Sequence, residues 1–299
     1  MYDVIIIGTG VAGYSAAIYA ARFNLKTLLV GKRFGGLLQD THIVENYPGY
    51  KSISGFDLMQ KMLDHVKSYD IDIVESEVTA IKKNDQFEVT TKDKSYEGKT
   101  IILATGTKAR ELNIPGEKEF KNKGVSYCAL CDAPLFKDKV VGVIGGSDSA
   151  AKEALLLAEY AKKVYIIYRK EKIRAEPVNL ERVKKNDKIE VINNTNVIEV
   201  KGDNMMDQVV LDNEFNGSKE LELQGLFIEI GHIPQTELAK KLGVTLNEKG
   251  EVITDEDSKT SVEGVCAAGD LTNKDWKQAI IGAAEGVTAA WSIYNYLKN

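Results

Sequence analysis

One pattern occurs twice in this chain, and it restricts the fold more than any other feature. Asp3-Val4-Ile5-Ile6-Ile7 is a short apolar run rich in β-branched residues, which favours a buried strand. It leads into Gly8-Thr9-Gly10-Val11-Ala12-Gly13 and then an alanine-rich stretch over 15–21 that favours a helix. The order returns at 140–144, where an apolar run enters Gly145-Gly146-Ser147-Asp148-Ser149-Ala150, followed by a helical stretch over 151–160. Strand, tight glycine turn and helix in that order form a dinucleotide-binding unit. Gly8 permits the turn, Gly10 lets the backbone approach a pyrophosphate, and Gly13 lets the helix pack on the strand. Unpaired N–H groups at the helix start then face the phosphates. Two such units predict an α/β protein with two Rossmann-like, three-layer dinucleotide-binding domains.

Further signals fix how the two are threaded. A buried strand over 99–103 delivers Ala104-Thr105-Gly106, and Val265-Cys266-Ala267-Ala268-Gly269-Asp270 repeats that shape before a final helix over 277–297. A chain that returns to its first domain at the end carries its second domain as an insertion. The length of 299 residues suits two domains, and 43 % apolar with 28 % charged residues suits substantial soluble cores. A net charge of −5 gives no electrostatic reason to expect nucleic acid. The apolar run 4–7 is too short for a signal-peptide core, and none approaches the roughly 20 residues that span a bilayer. A cytoplasmic protein without a membrane partner is expected.

Three cysteines occur, and Cys128 and Cys131 are spaced C-x-x-C. In a reducing compartment such a pair is catalytic or half of a metal site. Zinc needs a second ligand pair, whereas Cys266, His42, His65 and His232 are scattered singly, so no metal is expected. If the pair opens a helix, the helix start favours a thiolate near neutral pH. Asp132 beside it could exchange a proton with a departing thiol, or simply cap the helix. Cys266 follows Val265 in an apolar strand and reads as a small buried residue.

The strand ends distinguish the nucleotides. After the second unit, 164–168 ends at Arg169-Lys170, with Arg174 nearby. An acid there would hold the ribose hydroxyls of NAD; cations suit a 2′-phosphate, which favours NADPH over NADH, although a solvated basic loop has the same composition. In the first unit, strand 27–30 ends at Gly31-Lys32-Arg33, again without the ribose carboxylate, so a nucleotide there must rest on other contacts.

Together these residues resemble the low-molecular-weight bacterial and archaeal thioredoxin reductases, over nearly the whole chain. The motifs that carry the resemblance are the first glycine turn, Gly35-Gly36, Glu45-Asn46-Tyr47-Pro48-Gly49, Ala104-Thr105-Gly106 and Cys128-Ala129-Leu130-Cys131-Asp132. With them come the second glycine turn, Arg169-Lys170 with Arg174-Ala175, Ile230-Gly231-His232-Ile233-Pro234, and Ala268-Gly269-Asp270 with Gln278-Ala279. The resemblance implies FAD in a discontinuous outer domain over 1–110 and 238–299, and NADPH with the cysteines in an inserted domain over 111–237. Gly8, Gly10, Gly13, Gly35, Gly36, Asn46, Thr105, Gly106, Gly269, Asp270, Gln278 and Ala279 would hold FAD. Gly145, Gly146, Ser147, Asp148, Ser149, Arg169, Lys170 and Arg174 would hold NADPH. Cys131 would receive electrons at the flavin, Cys128 would attack the disulfide of a thioredoxin-like or glutaredoxin-like protein, and Asp132 would be the acid/base. The family also implies a homodimer and a hinge near 113–116 and 231–234.

Four residues depart from the pattern. Ser147 replaces a glycine, Lys170 an arginine, Leu37 a glutamine and Ala133 a glycine. The first two bear on NADPH and the third on a flavin contact. They leave open the same FAD and dithiol enzyme fed by another donor such as ferredoxin, or a flavin-dependent dithiol sensor.

Overall fold

The computed structural model describes residues 1–298, and the chain divides into two compact units, one formed by 1–108 with the chain from 234 onward, the other by 109–233. The first unit opens with β1 (Tyr2–Ile7), α1 (Val11–Arg22), β2 (Thr27–Gly31), α2 (Gly55–Lys67) and β3 (Asp72–Glu75). It continues with β4 (Val78–Lys83), β5 (Phe87–Thr91) and β6 (Ser95–Leu103), and β7 (Thr107–Ala109) crosses to the second unit. There follow β8 (Val125–Ser126), α3 (Ala129–Asp132), β9 (Val140–Ile144), α4 (Asp148–Tyr160), β10 (Lys163–Tyr168), α5 (Pro177–Lys184) and β11 (Ile189–Asn193). An antiparallel trio, β12 (Val197–Gly202), β13 (Met206–Phe215) and β14 (Ser218–Glu222), precedes β15 (Gly225–Ile228). The return crossing is β16 (His232–Pro234), and α6 (Glu237–Lys241), β17 (Val265–Ala267) and α7 (Ala279–Lys298) complete the first unit.

Each unit is built on five parallel strands in one order, β3-β2-β1-β6-β17 and β11-β10-β9-β15-β8. The glycine turn leaves the middle strand in both, which is where a nucleotide binds in an open α/β sheet. Strand residues alternate between two cores, Val4 and Ile6 facing α1, α2 and α7, and Ile5 and Ile7 facing the antiparallel β4-β5 side. In the second unit, α3, α4 and α5 cover one face of the sheet and the β12-β13-β14 trio the other. The third layer is therefore largely antiparallel sheet rather than a second set of helices.

Helices α1 and α7 approach closely because the crossing carries only small residues: a Cβ on Gly286 would lie 2.2 Å from the Ala12 carbonyl oxygen. The crossings β7 and β16 pair with each other as a two-stranded ribbon. The segment 113–116, expected as a hinge, lies inside the second unit. Glu117 is buried there and accepts from the N–H groups of Leu112 (2.8 Å) and Asn113 and from the Tyr127 hydroxyl (2.7 Å), while the Pro115 carbonyl accepts from Val200 N–H (3.0 Å). Those bonds lock the proline segment to the β12 edge. Among the described residues, no helix is long and apolar enough to cross a membrane.

Candidate active site

In the first unit the glycine turn is forced by packing. Gly8 has φ +122°, and a Cβ there would stand 2.0 Å from the Ala104 carbonyl oxygen, while one on Gly13 would stand 1.8 Å from the Gly8 oxygen. Gly10 differs, because a Cβ there would meet no protein atom within 4 Å. The space above Gly10 is thus open at the uncapped start of α1, as a pyrophosphate requires.

Gly35 and Gly36, both at positive φ, fold over this turn. Gly35 N–H donates to the Thr9 carbonyl (2.9 Å) and to the buried Tyr14 hydroxyl (3.1 Å), and a Cβ on Gly36 would lie 3.1 Å from the Gly10 Cα. Tyr14 was not legible as a site residue, and it holds the double glycine in place. Gly269 (φ +89°) donates its N–H to Glu285 (2.7 Å) and lies against Ala12. The Asn46 amide donates to Gln278 (3.0 Å), one turn before Gly282, which packs on Gly269; Ala279 begins α7. Asp270 offers its carbonyl to Lys277 Nζ (3.0 Å). Gly106 (φ +60°) is open, and the Thr105 hydroxyl donates to the Gln235 carbonyl (2.6 Å). Residues far apart in sequence so converge on the ends of β1, β6 and β17.

In the second unit Cys128 and Cys131 form a disulfide with Cα atoms 5.4 Å apart. Cys128 caps α3: its Sγ accepts from the Cys131 N–H (3.2 Å), and its own N–H donates to the Ser126 hydroxyl (3.1 Å). Asp132 closes the turn by donating its N–H to the Cys128 carbonyl (3.2 Å). A depression of about 420 Å³ opens beside the pair, lined by Glu111, Lys121, Tyr127, the cysteines and Asp132 among others. Cys131 is exposed and Cys128 half-buried. Cys266 stands apart, buried in β17, with burial pushing its thiol up to about 12, so it is protonated and inert at neutral pH.

The second glycine turn sits at the end of β9. Gly145 (φ +149°) packs on the Glu229 carbonyl, and a Cβ on Gly146 would run into the Tyr168 ring at 2.4 Å. Ser147 is the N-cap of α4, yet its side chain makes no cap bond, so the hydroxyl is free at an open helix start; Ser149 is exposed in the first turn. Asp148 is engaged elsewhere. Burial alone would raise its carboxyl, but Lys152 (2.8 Å), the Asn179 amide (2.9 Å) and the Glu176 N–H (2.9 Å) outweigh that and hold it below the usual range. The Arg174 N–H donates to the Gly146 carbonyl (2.6 Å), which sets that arginine beside the turn. Arg169, Lys170 and Arg174 are exposed, and none of them takes part in the ion pairs found among the described residues.

Sequence reasoning missed two acids near the cysteines, Glu153 on α4 and Glu229 just after β15. Burial raises both carboxyls well above the usual range, and the neighbouring Glu153 charge adds to the rise at Glu229. A signal was present. Glu153 interrupts the apolar stripe of Ala150, Ala154, Leu157 and Ala158, and Glu229 interrupts Leu226-Phe227-Ile228 and Ile230.

Residues 2–286 match the family model described as pyridine nucleotide-disulphide oxidoreductase. The thioredoxin reductase of Bacillus subtilis is 37 % identical over 302 residues, spanning 100 % of this chain and 95 % of that protein. That of Treponema pallidum is 41 % identical over 300 residues, 99 % of this chain and 97 % of its own length. Among solved structures, Lactococcus lactis thioredoxin reductase aligns with a TM-score of 0.96 at 38 % identity, covering 100 % of this chain and 99 % of that one.

Proposed function

Because this chain belongs to the pyridine nucleotide-disulphide oxidoreductases and, within them, to the thioredoxin reductases, we propose that its Cys128–Cys131 pair reduces the disulfide of a thioredoxin-like protein. The chain is an FAD-dependent disulfide oxidoreductase, a thioredoxin-disulfide reductase whose cofactors are FAD and NADPH. When bound, they supply the electron pair, as hydride from the nicotinamide relayed by the flavin, that opens the disulfide. The observation that carries the reading is a C-x-x-C disulfide on the same unit as an open, uncapped helix start flanked by three exposed cations.

The residues suit their roles as follows. Once the pair is reduced, Cys128 carries the thiolate, because its sulfur already accepts a backbone N–H from Cys131. It attacks the substrate disulfide and forms a mixed disulfide. Cys131 then attacks the Cys128 sulfur, the substrate leaves as a dithiol, and the original disulfide is restored. Asp132 moves the proton between Cys131 and the leaving sulfur. The first unit would hold FAD over Gly8, Gly10 and Gly13, with Gly35, Gly36, Asn46, Thr105, Gly106, Gly269, Asp270, Gln278 and Ala279 as its further binding residues. The second would hold NADPH over Gly145, Gly146, Ser147 and Ser149, where Arg169, Lys170 and Arg174 would supply cations for the 2′-phosphate.

An anaerobic titration followed by flavin absorbance tests the donor. NADPH is expected to bleach the flavin fast and NADH slowly. Arg174→Ala is expected to raise KM for NADPH about 10–100-fold, the size of a lost charged hydrogen bond, and to leave NADH unchanged. If neither nucleotide bleaches bound FAD, Ser147 marks a disabled site and another donor feeds the same cysteines.

We place the enzyme in the cytoplasm as a homodimer. An aromatic patch supports the dimer: Phe23 stacks on Tyr294 (centroids 4.7 Å apart) and lies beside Trp291 (5.6 Å), with Trp291 49 % exposed. Trp291→Asp is expected to convert a dimer to a monomer in light scattering; an unchanged mass excludes this face.

A further inference from the structure

Two acids in the second unit stand outside the roles above. Glu153 lies on α4 where α3 packs against it, and its Oε1 accepts from the Ala129 N–H (3.4 Å), in the peptide that joins Cys128 to Ala129. Its Oε2 is buried without any fixed donor. The Glu153 and Glu229 carboxyls lie within hydrogen-bond reach of each other. Two carboxylate oxygens cannot bond each other, so the contact needs a proton on one of them. Glu229 itself donates its N–H to the Ile144 carbonyl (2.8 Å), and its own carbonyl packs on Gly145. The pair therefore spans from the nucleotide turn to the cysteine turn.

We infer that Glu153 and Glu229 are positioning residues for the redox centre: they share one proton beneath the Cys128–Cys131 turn and take up a second when the disulfide is reduced. The balance is direct. Opening the disulfide takes one hydride equivalent, two electrons and one proton, which the enzyme's own donors supply, and leaves one thiol and one thiolate. The new negative charge lies near the pair's existing one, and a further solvent proton on the pair cancels the repulsion. Reoxidation by the substrate releases it. The proposal rests on the disulfide-reductase reading of this site.

Asp132 ends the cysteine turn, Asp148 and Lys152 pair with each other on α4 (2.8 Å), and the Arg182 guanidinium of α5 donates to the Asn179 side-chain Oδ1 (3.3 Å). The Tyr168 hydroxyl of β10 is buried without a partner. Burial pushes both carboxyls upward, and the Glu153 charge raises that of Glu229 further, while the hydrogen bonds from Ala129 and Glu229 hold Glu153 partly back.

The test equilibrates the FAD-bound protein with glutathione redox buffers from pH 6 to 9 and counts free Cys128 and Cys131 by alkylation and mass. Glu153→Gln with Glu229→Gln keeps the shape and removes both charges. Its equilibrium constant is expected to move about tenfold toward the dithiol at pH 8, roughly 30 mV for a two-electron couple, and to lose part of its pH dependence. Glu229→Asp, which keeps an acid, should restore that dependence; a merely structural role would not separate the two variants. An equilibrium constant and pH dependence identical to the parent in the folded, yellow double variant would overturn the inference. Should that variant not fold, Glu229→Gln alone carries the same criterion. No protein substrate enters this measurement. Failure to reduce a thioredoxin-like disulfide in a separate assay would count against the functional reading and not against the pair.

Discussion

Cys131→Ser will abolish disulfide reduction while the protein stays yellow. The two sulfurs form one disulfide in the second unit, so removing either removes the acceptor of the electron pair and the means of resolving a mixed disulfide. Residues that act as a unit lose nearly all activity singly, and a drop of at least about 10³-fold is expected in turnover with a thioredoxin-like substrate. The FAD contacts proposed above all belong to the other unit, so the flavin spectrum should be unchanged. Cys128→Ser should be as inactive. The two differ in one respect: only the protein retaining Cys128 has the proposed attacking sulfur, and it should trap substrate as a stable mixed disulfide, visible as a mass increase. Full activity in Cys131→Ser would mean that electrons leave the flavin by another route.

Gly8→Ala and Gly10→Ala should part company, although both belong to one glycine motif. Alanine at 8 meets two penalties, a positive φ and a Cβ 2.0 Å from the Ala104 carbonyl. Strain and overpacking each cost about 1–3 kcal/mol, so a loss of roughly 2–6 kcal/mol is expected, enough to leave the variant largely unfolded or colourless. Alanine at 10 meets no protein atom, so the fold and melting temperature of the apoprotein should hold. The added methyl instead fills the space a pyrophosphate would use, and FAD affinity should fall at least about tenfold by fluorescence titration. If Gly10→Ala binds FAD as tightly as the parent, the phosphates do not approach this turn.

The α/β class, the doubled nucleotide unit and the C-x-x-C pair could be read from local patterns, because each depends on residues adjacent in sequence. A strand's periodicity, a glycine forced by backbone geometry and a cysteine spacing of three are short-range quantities. The antiparallel third layer was less legible. The strands 197–222 alternate as any exposed-edged sheet would, and nothing local says which face of the parallel sheet they cover. The contacts that hold the segment 113–116 were hidden for a related reason. Proline and glycine signal a break, but the buried Glu117 that pins this one acts through bonds to Leu112, Asn113 and Tyr127 that only the fold assembles.

The division between the two sources of information follows from range. By itself the sequence determined that two glycine turns end buried parallel strands, that the cysteines sit between them, and that basic residues follow the second unit. Only the tertiary structure decided that Asn46 meets Gln278, that Tyr14 holds Gly35, that Asp148 is occupied by Lys152 and Asn179, and that Glu153 faces Glu229. Apart from the Asp148–Lys152 pair within α4, those contacts join residues tens to hundreds of positions apart. A carboxyl's proton depends on what desolvates it and which charge lies beside it, and neither is set until the chain has closed around the site.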